Sequence, residues 1–414
     1  MTRIACSILW PAVLLGTLVS GFPHGTAGGT QKRVGKAIYF LTNDAQNAVV
    51  ALPIAADGTV STGTVTATGG QGSNSIDGMT NTSAAPDALV DQSALTIAGN
   101  NLFAVNAGSN SLTMLSISPS DPTQLIILGQ PVAVPGEFPN TVAASPKHGL
   151  ACVGSTGAKA GISCSRFSAT AGLSAMDCLR AFDLGQTTPP VGPTNTVSQT
   201  FFSADESRLL TTVKGDPGAN STGFVSVFAV NPKSSCAGAA GARLSTQETR
   251  SSPAGTAVLF GSALVPGAPD SVFVTDASFG AAVLSLDPTT NAASLVAKQA
   301  IAGQKATCWA TVSAATGSAF VADVGANRVV EMGLADARVL STLDLSSESA
   351  DPGLVDLGAA GDFVYALSPG NGTTAAAVAV LDVSGGQGAA EMVQHFELSG
   401  LGVGKNAQGM AVLM

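Results

Sequence analysis

The sequence predicts an all-β protein, a seven-bladed β-propeller of four-stranded antiparallel blades spanning residues 37–414 and closed by pairing of its N- and C-terminal strands. Three observations carry this reading. A strand–turn–strand unit recurs about every 45 to 65 residues, the period of a propeller blade. The composition suits short strands and tight turns better than helices: 48 glycines, and charged residues at 11% against roughly a quarter in ordinary soluble proteins. The two ends of the chain also supply complementary parts of one blade.

The unit is clearest at its second strand. Seven apolar segments align there: Ala37–Leu41 and residues 101–105, 149–153, 207–211, 270–274, 318–322 and 362–366. Each is followed by a polar turn such as Asn43-Asp44-Ala45-Gln46-Asn47 or Asp323-Val324-Gly325-Ala326-Asn327, where Asn, Asp and Gly bend the chain readily. A third strand follows, for example residues 112–117, 283–286 or 329–332, and a less regular fourth closes most units, as in residues 338–343. Strands buried on both faces read as continuous apolar runs, as stacked blades require. The first unit begins at a second strand, and residues 408–414 form an orphan innermost strand that completes it. That closure removes the free edges at the seam.

The first twenty residues read as an export signal: Thr2 and Arg3, then an apolar run from Ile4 to Val19 interrupted by Pro11, then small residues. Residues 21–36 form an N-terminal extension. Nothing later is apolar for long enough to cross a membrane as a helix. Sequons at Asn81, Asn220 and Asn371 sit in Gly/Ser/Thr-rich loops, so the expected product is a secreted, extracellular or wall-associated glycoprotein, and a monomer. After export the chain keeps Cys152, Cys164, Cys178, Cys236 and Cys308. Five is odd, so at least one thiol stays free or pairs with another chain. Two disulfides are compatible with the set, and spacing does not decide their connectivity. No zinc spacing, nucleotide loop or Gly-x-Ser-x-Gly nucleophile motif is present, and neither metal nor cofactor is expected. The net charge of −9 argues against nucleic acid as a partner.

The stretch Cys308-Trp309-Ala310-Thr311-Val312-Ser313, followed by residues 317–328, resembles the lactonase-type seven-bladed propellers. The likeness is to secreted fungal proteins named after 3-carboxymuconate cyclase. It covers about the whole mature chain through the repeat pattern. It implies lactone hydrolysis or muconate cycloisomerisation at one mouth of the central channel, but some such proteins look like cell-wall glycoproteins or adhesins.

The chemistry of either reaction needs cations for an anionic substrate and an acid or base beside the reacting carbon. The three histidines are poorly placed. His24 lies at the signal boundary, His148 in a turn assigned to the opposite face, and His395 in an outer strand, expected to face solvent. The mouth should be built by loops between second and third strands and by loops leading into each blade. Its candidate ligand-binding residues are Asp44, Asn106, Lys214, Asp276, Lys305, Asp323 and Arg328, with Asp216, Glu137, Asn140, Trp309, Asp351 and Asn406 as further polar or aromatic residues there. Arg328, the only Arg at such a loop, is the candidate catalytic residue. Turn chemistry explains Asp and Asn at these positions equally well, and Trp309 suits a core. On this inventory the sequence favours a non-catalytic extracellular binding or adhesin-like protein, whose ligand is a glycan, a surface protein or another extracellular molecule. A lactonase or carboxymuconate cycloisomerase is the alternative.

Overall fold

In the computed structural model, which describes residues 32–234 and 241–414, each of the seven apolar segments forms the second strand of an antiparallel blade. The blades follow chain order, innermost strand first in all but the first. Blade 2 runs Leu95–Ala98, Asn101–Asn106, Ser111–Ile117 and Leu125–Ile127. Blade 3 begins at Pro139–Ser145, blade 4 at Val197–Phe202, blade 5 at Leu259–Leu264, blade 6 at Thr307–Ser313 and blade 7 at Leu357–Ala360. Blade 1 is composite. Its Ala37–Leu41, Ala48–Pro53 and Thr64–Ala67 are completed on the axis side by Gln408–Leu413, with Ala37 opposite Leu413. Residues 32–36 lean on blade 7, where the Arg33 amide donates to Asp362 Oδ2 at 2.8 Å. The signal peptide, most of the extension and Cys236 lie outside the described residues. Among those residues no helix is long and apolar enough to cross a membrane.

Position in the blade explains the residue pattern. The second and third strands of blade 7, Phe363–Ser368 and Ala377–Asp382, are buried at every residue because sheets cover both their faces. The outermost strand of blade 5, Ala293–Ala300, alternates between covered and open positions, because only its inward face has a neighbour. Large side chains fill the wedges between blades. Ile38, Phe40 and Val50 of blade 1 share one apolar cluster with Phe363, Tyr365 and Val378 of blade 7, so the composite blade is packed as well as hydrogen-bonded into the ring. In blade 3, Cys152 and Cys164 face each other across the second and third strands and form a disulfide. Among the described residues Cys178 and Cys308 have no disulfide partner, the first exposed and the second buried.

Two features lie outside the repeat. Ile76–Asp77 pairs in parallel with Val191–Gly192, joining the loop before blade 2 to the loop before blade 4. The long connection between Ala67 and Leu95 then turns down into the ring.

Candidate functional site

Residues 87–93 lie on the propeller axis, and side chains from opposite sides of the ring hold them there. From blade 6, Trp309 Nε1 donates to Asp91 O at 2.8 Å, and Ala310 exchanges two hydrogen bonds with the Gln92 side chain, at 2.8 and 3.0 Å. From blade 3, Thr141 Oγ1 donates to Gln92 O at 2.9 Å. From blade 4, Lys214 Nζ donates to Val90 O at 2.6 Å, and Ser198 O accepts from the Gln92 amide at 3.0 Å. A buried backbone without a ladder must find such partners. Gly261 in blade 5 is required by this packing, since a Cβ there would stand 2.0 Å from Gln92 Oε1. Val90 and Ser93 adopt left-handed backbone, φ 50° and 73°. That conformation is costly for a β-branched residue and persists only where surrounding contacts enforce it.

Above this segment is a cavity of about 280 Å³ at the channel mouth. Val90 contributes to it from the axial segment, and Val258 and Phe260 from the first strand of blade 5 and the loop leading into it. Ala306 and Cys308 come from the corresponding part of blade 6. Ala277 and Val324 follow the second strands of blades 5 and 6, and Lys214 holds the same position in blade 4. The loops joined by the small parallel pair roof the cavity with Asp77, Ala84, Pro86 and Pro193. Met79, beside Asp77, is 96% exposed at the outer surface of this roof.

The charged groups are few. Lys214 is buried, donates to Val90 O and Ser198 Oγ, and lies 4.3 Å from the Phe260 ring centroid. A lysine has three N–H donors, so one remains for the ring or for a cavity occupant. Burial lowers the Lys214 ammonium to about 8, against the opposing pull of Asp87. Burial raises Asp87 to about 7 despite Lys214, and its Oδ1 is shut off from solvent with no hydrogen-bond donor. Deeper, burial pushes Asp91 well above the usual carboxylate range, reinforced by Asp356 and Asp87, and among the described residues neither of its carboxyl oxygens has a hydrogen-bond partner. Burial raises Asp356 to about 7. In the roof, hydrogen bonds from the Thr80 and Met79 amides and the Thr80 hydroxyl hold Asp77 below its ordinary value, so it is ionised.

Of the seven candidates read from the sequence, Lys214 lines this cavity. Lys305 is exposed beside its rim, next to Ala306. Asp276 and Asp323 precede the lining residues Ala277 and Val324, but their carboxylates turn toward backbone. Asp276 accepts from the Ala257 and Val258 amides at 2.7 and 3.0 Å, and Asp323 from those of Lys305 and Ala306 at 2.7 and 3.0 Å. Each fixes the loop leading into its own blade. Asn106 is buried between blades 1 and 2, bonded to Asn47, Thr68, Ser111 and Thr113. Asp44 accepts from Asn406 at 2.8 Å. Arg328 lies inside the third strand of blade 6, opposite Asp344 on the outer strand.

Among the further residues, Trp309 is core and holds Asp91, and Asn140 Nδ2 donates to Val197 O at 2.8 Å and Leu89 O at 3.3 Å. Glu137 pairs with Lys159 at 3.0 Å, and Asp216 caps a short turn in its own loop. His395 does not face solvent freely. It is half-buried with Nε2 2.9 Å from Asp351 Oδ2, because the loop before blade 7 folds back onto that outer strand. Asn81, Asn220 and Asn371 are all exposed, each in a loop on the mouth face. Among the described residues no group of three or more His, Cys, Asp or Glu could hold a metal.

Asp87 and the axial segment were missed by the sequence reading. The available signal was the length of the connection between Ala67 and Leu95, since long structureless loops are usually functional.

No protein-family model matches the chain, and no curated protein does. Solved structures do. The periplasmic gluconolactonase of Pseudomonas aeruginosa superposes with a TM-score of 0.64 at 16% identity, covering 91% of this chain and 99% of that one. A Bacteroides fragilis protein, provisionally described as a 6-phosphogluconolactonase, gives 0.59 at 8% identity over 92% of this chain and 98% of its own. A similarly described Bacteroides uniformis protein gives 0.51 at 14% identity over 70% and 80%. The fold is that of the lactonase-type seven-bladed propellers. The likeness does not reach the 3-carboxymuconate cyclase subgroup that the sequence suggested.

Proposed function

We propose that the protein hydrolyses a lactone in the mouth cavity. The observation that carries this reading is the presence of one carboxyl and one amine, Asp87 and Lys214, each with a value moved toward neutrality, in a mostly apolar cavity above the axial segment whose other charged lining residue is Asp77. General-base catalysis works best when the base titrates near the working pH. Ionised Asp87 takes a proton from water as its oxygen adds to the lactone carbonyl. The free N–H of Lys214 stabilises the negative charge that develops on the carbonyl oxygen. Cleavage of the acyl C–O bond sends the Asp87 proton to the departing ring oxygen, giving a hydroxy acid. The likeness to a gluconolactonase fold supports the reaction class by analogy. A carboxymuconate substrate, with several carboxylates, suits a cavity holding a single lysine poorly.

The test is pH-stat hydrolysis across a panel of lactones. kcat/KM should rise through about pH 7 as Asp87 ionises and fall through about pH 8 as Lys214 loses its proton. Asp87→Asn should lower kcat by about 10²–10⁴-fold, and Lys214→Met by about 10²–10³-fold with loss of the alkaline limb. Absence of turnover across the panel would overturn the reading.

A second reading, an exported binding glycoprotein, is favoured by one observation: all three sequon asparagines are exposed on the face that carries the cavity. Mass spectrometry of glycopeptides from the secreted protein tests it, and unmodified Asn81, Asn220 and Asn371 would count against it.

A further inference from the structure

The walls of the cavity bear on which lactone it takes, an inference that rests on the hydrolytic reading but can fail separately from it. Sugar lactones carry a hydroxyl on nearly every ring carbon, and each buried hydroxyl needs a partner. The cavity offers few. One carboxyl oxygen of Asp77 is engaged by the Met79 and Thr80 amides and the Thr80 hydroxyl. Two of the three Lys214 N–H donors are taken by Val90 O and Ser198 Oγ. Asp87 and the remaining Lys214 donor are committed to the reaction itself. Elsewhere the occupant meets Val90, Val258, Phe260 and Val324, with alanine and proline between them. A phosphate or second carboxylate would meet two carboxyl side chains against one lysine. Other cations of this face do not line the cavity: Lys305 is exposed at the rim, Lys159 pairs with Glu137, and Arg328 lies in its strand opposite Asp344.

We propose that the cavity takes a lactone with an alkyl or aryl substituent, carrying no phosphate and few hydroxyls, its ring carbonyl directed to Lys214 and its apolar group lying against Phe260, Val258 and Val324. This substrate class differs from the sugar lactones named for the solved structures of the same fold.

The experiment compares δ-decalactone with glucono-δ-lactone as substrates, and their lactam analogues, which resist hydrolysis, as ligands in calorimetry with the full exported chain. The alkyl lactam should bind at least 10-fold more tightly than the polyol lactam, and δ-decalactone should have the higher kcat/KM. Ala277→Trp, which fills the cavity from a loop position, should abolish binding while leaving the melting temperature within a few degrees. Tight binding of the alkyl lactam without turnover of either lactone would sink the hydrolytic reading and keep the ligand class. Preference for the polyol in binding and turnover would overturn the ligand class and keep the hydrolase. Binding of neither lactam, or unchanged binding in Ala277→Trp, would overturn the assignment of this cavity.

Discussion

The second strand of blade 7 and the middle of the axial segment are both hidden from water but held by different means. In blade 7 the second strand finds its backbone partners in the neighbouring strands, and its side chains pack against apolar neighbours. In residues 87–93 the backbone is held by Lys214, Thr141, Asn140 and Trp309 side chains from three blades, and among the described residues the Asp91 carboxyl has no hydrogen-bond partner. The first arrangement repeats and is insensitive to any one side chain. The second depends on a few specific donors and carries unusual acids. Stability therefore belongs to the blades, and the unusual buried acids to the segment that departs from them.

The largest expected effect tests the blades. Ending the chain after Ala407 removes the strand that pairs with Ala37–Leu41 and opens both composite blade and ring. The loss should exceed the roughly 5–15 kcal/mol of net stability usual for a domain, so no cooperative melt should be seen by circular dichroism. A truncated protein melting within a few degrees of the parent would show that the ring does not need its closure. A smaller effect is expected from Gln92→Ala, which removes both hydrogen bonds to Ala310 and leaves that blade 6 backbone unpaired. It should cost about 1–3 kcal/mol in urea unfolding. An equal cost for an exposed control such as Gln387→Ala would erase the distinction between segment and surface.

The smallest effect is pH-dependent. Asp91 and Asp356 have raised values in the folded state, Asp356 to about 7, so above the ordinary carboxylate range the folded protein holds protons that the unfolded chain releases. Their contribution to stability is then present at low pH and falls as pH rises. Asp91→Asn replaces the protonated acid with a neutral isostere. It should be nearly neutral at pH 5 and raise the melting temperature by on the order of a few degrees at pH 8. A difference independent of pH would mean that Asp91 is not held protonated.

The blades were legible because burial on both faces forces continuous apolar strands, a signal local to each segment. Residues 37–41 and 362–366 show it in sequence and fall in second strands. Lys214 was also legible. The corresponding residues after the other second strands are Thr42, Ala107, Thr156, Ala277, Val324 and Pro369, so one lysine stands out. Asp87 was not legible, since its surroundings come from blades 4, 5 and 6, far away in sequence. Position along the chain could not separate Asp276 or Asp323 from a binding residue either. A carboxylate that fixes a loop and one that meets a ligand obey the same turn preferences until the loop is seen.

The composite blade also sets an order of events during synthesis. Among the strands, Ala37–Leu41 is made first and its innermost neighbour, Gln408–Leu413, last. At about 5–20 residues per second, the first strand waits on the order of tens of seconds with one edge unpaired. Until Gln408–Leu413 is free to join it, Ala37–Leu41 offers an open β-edge to any other strand nearby, and a chaperone covering that edge would be of most use.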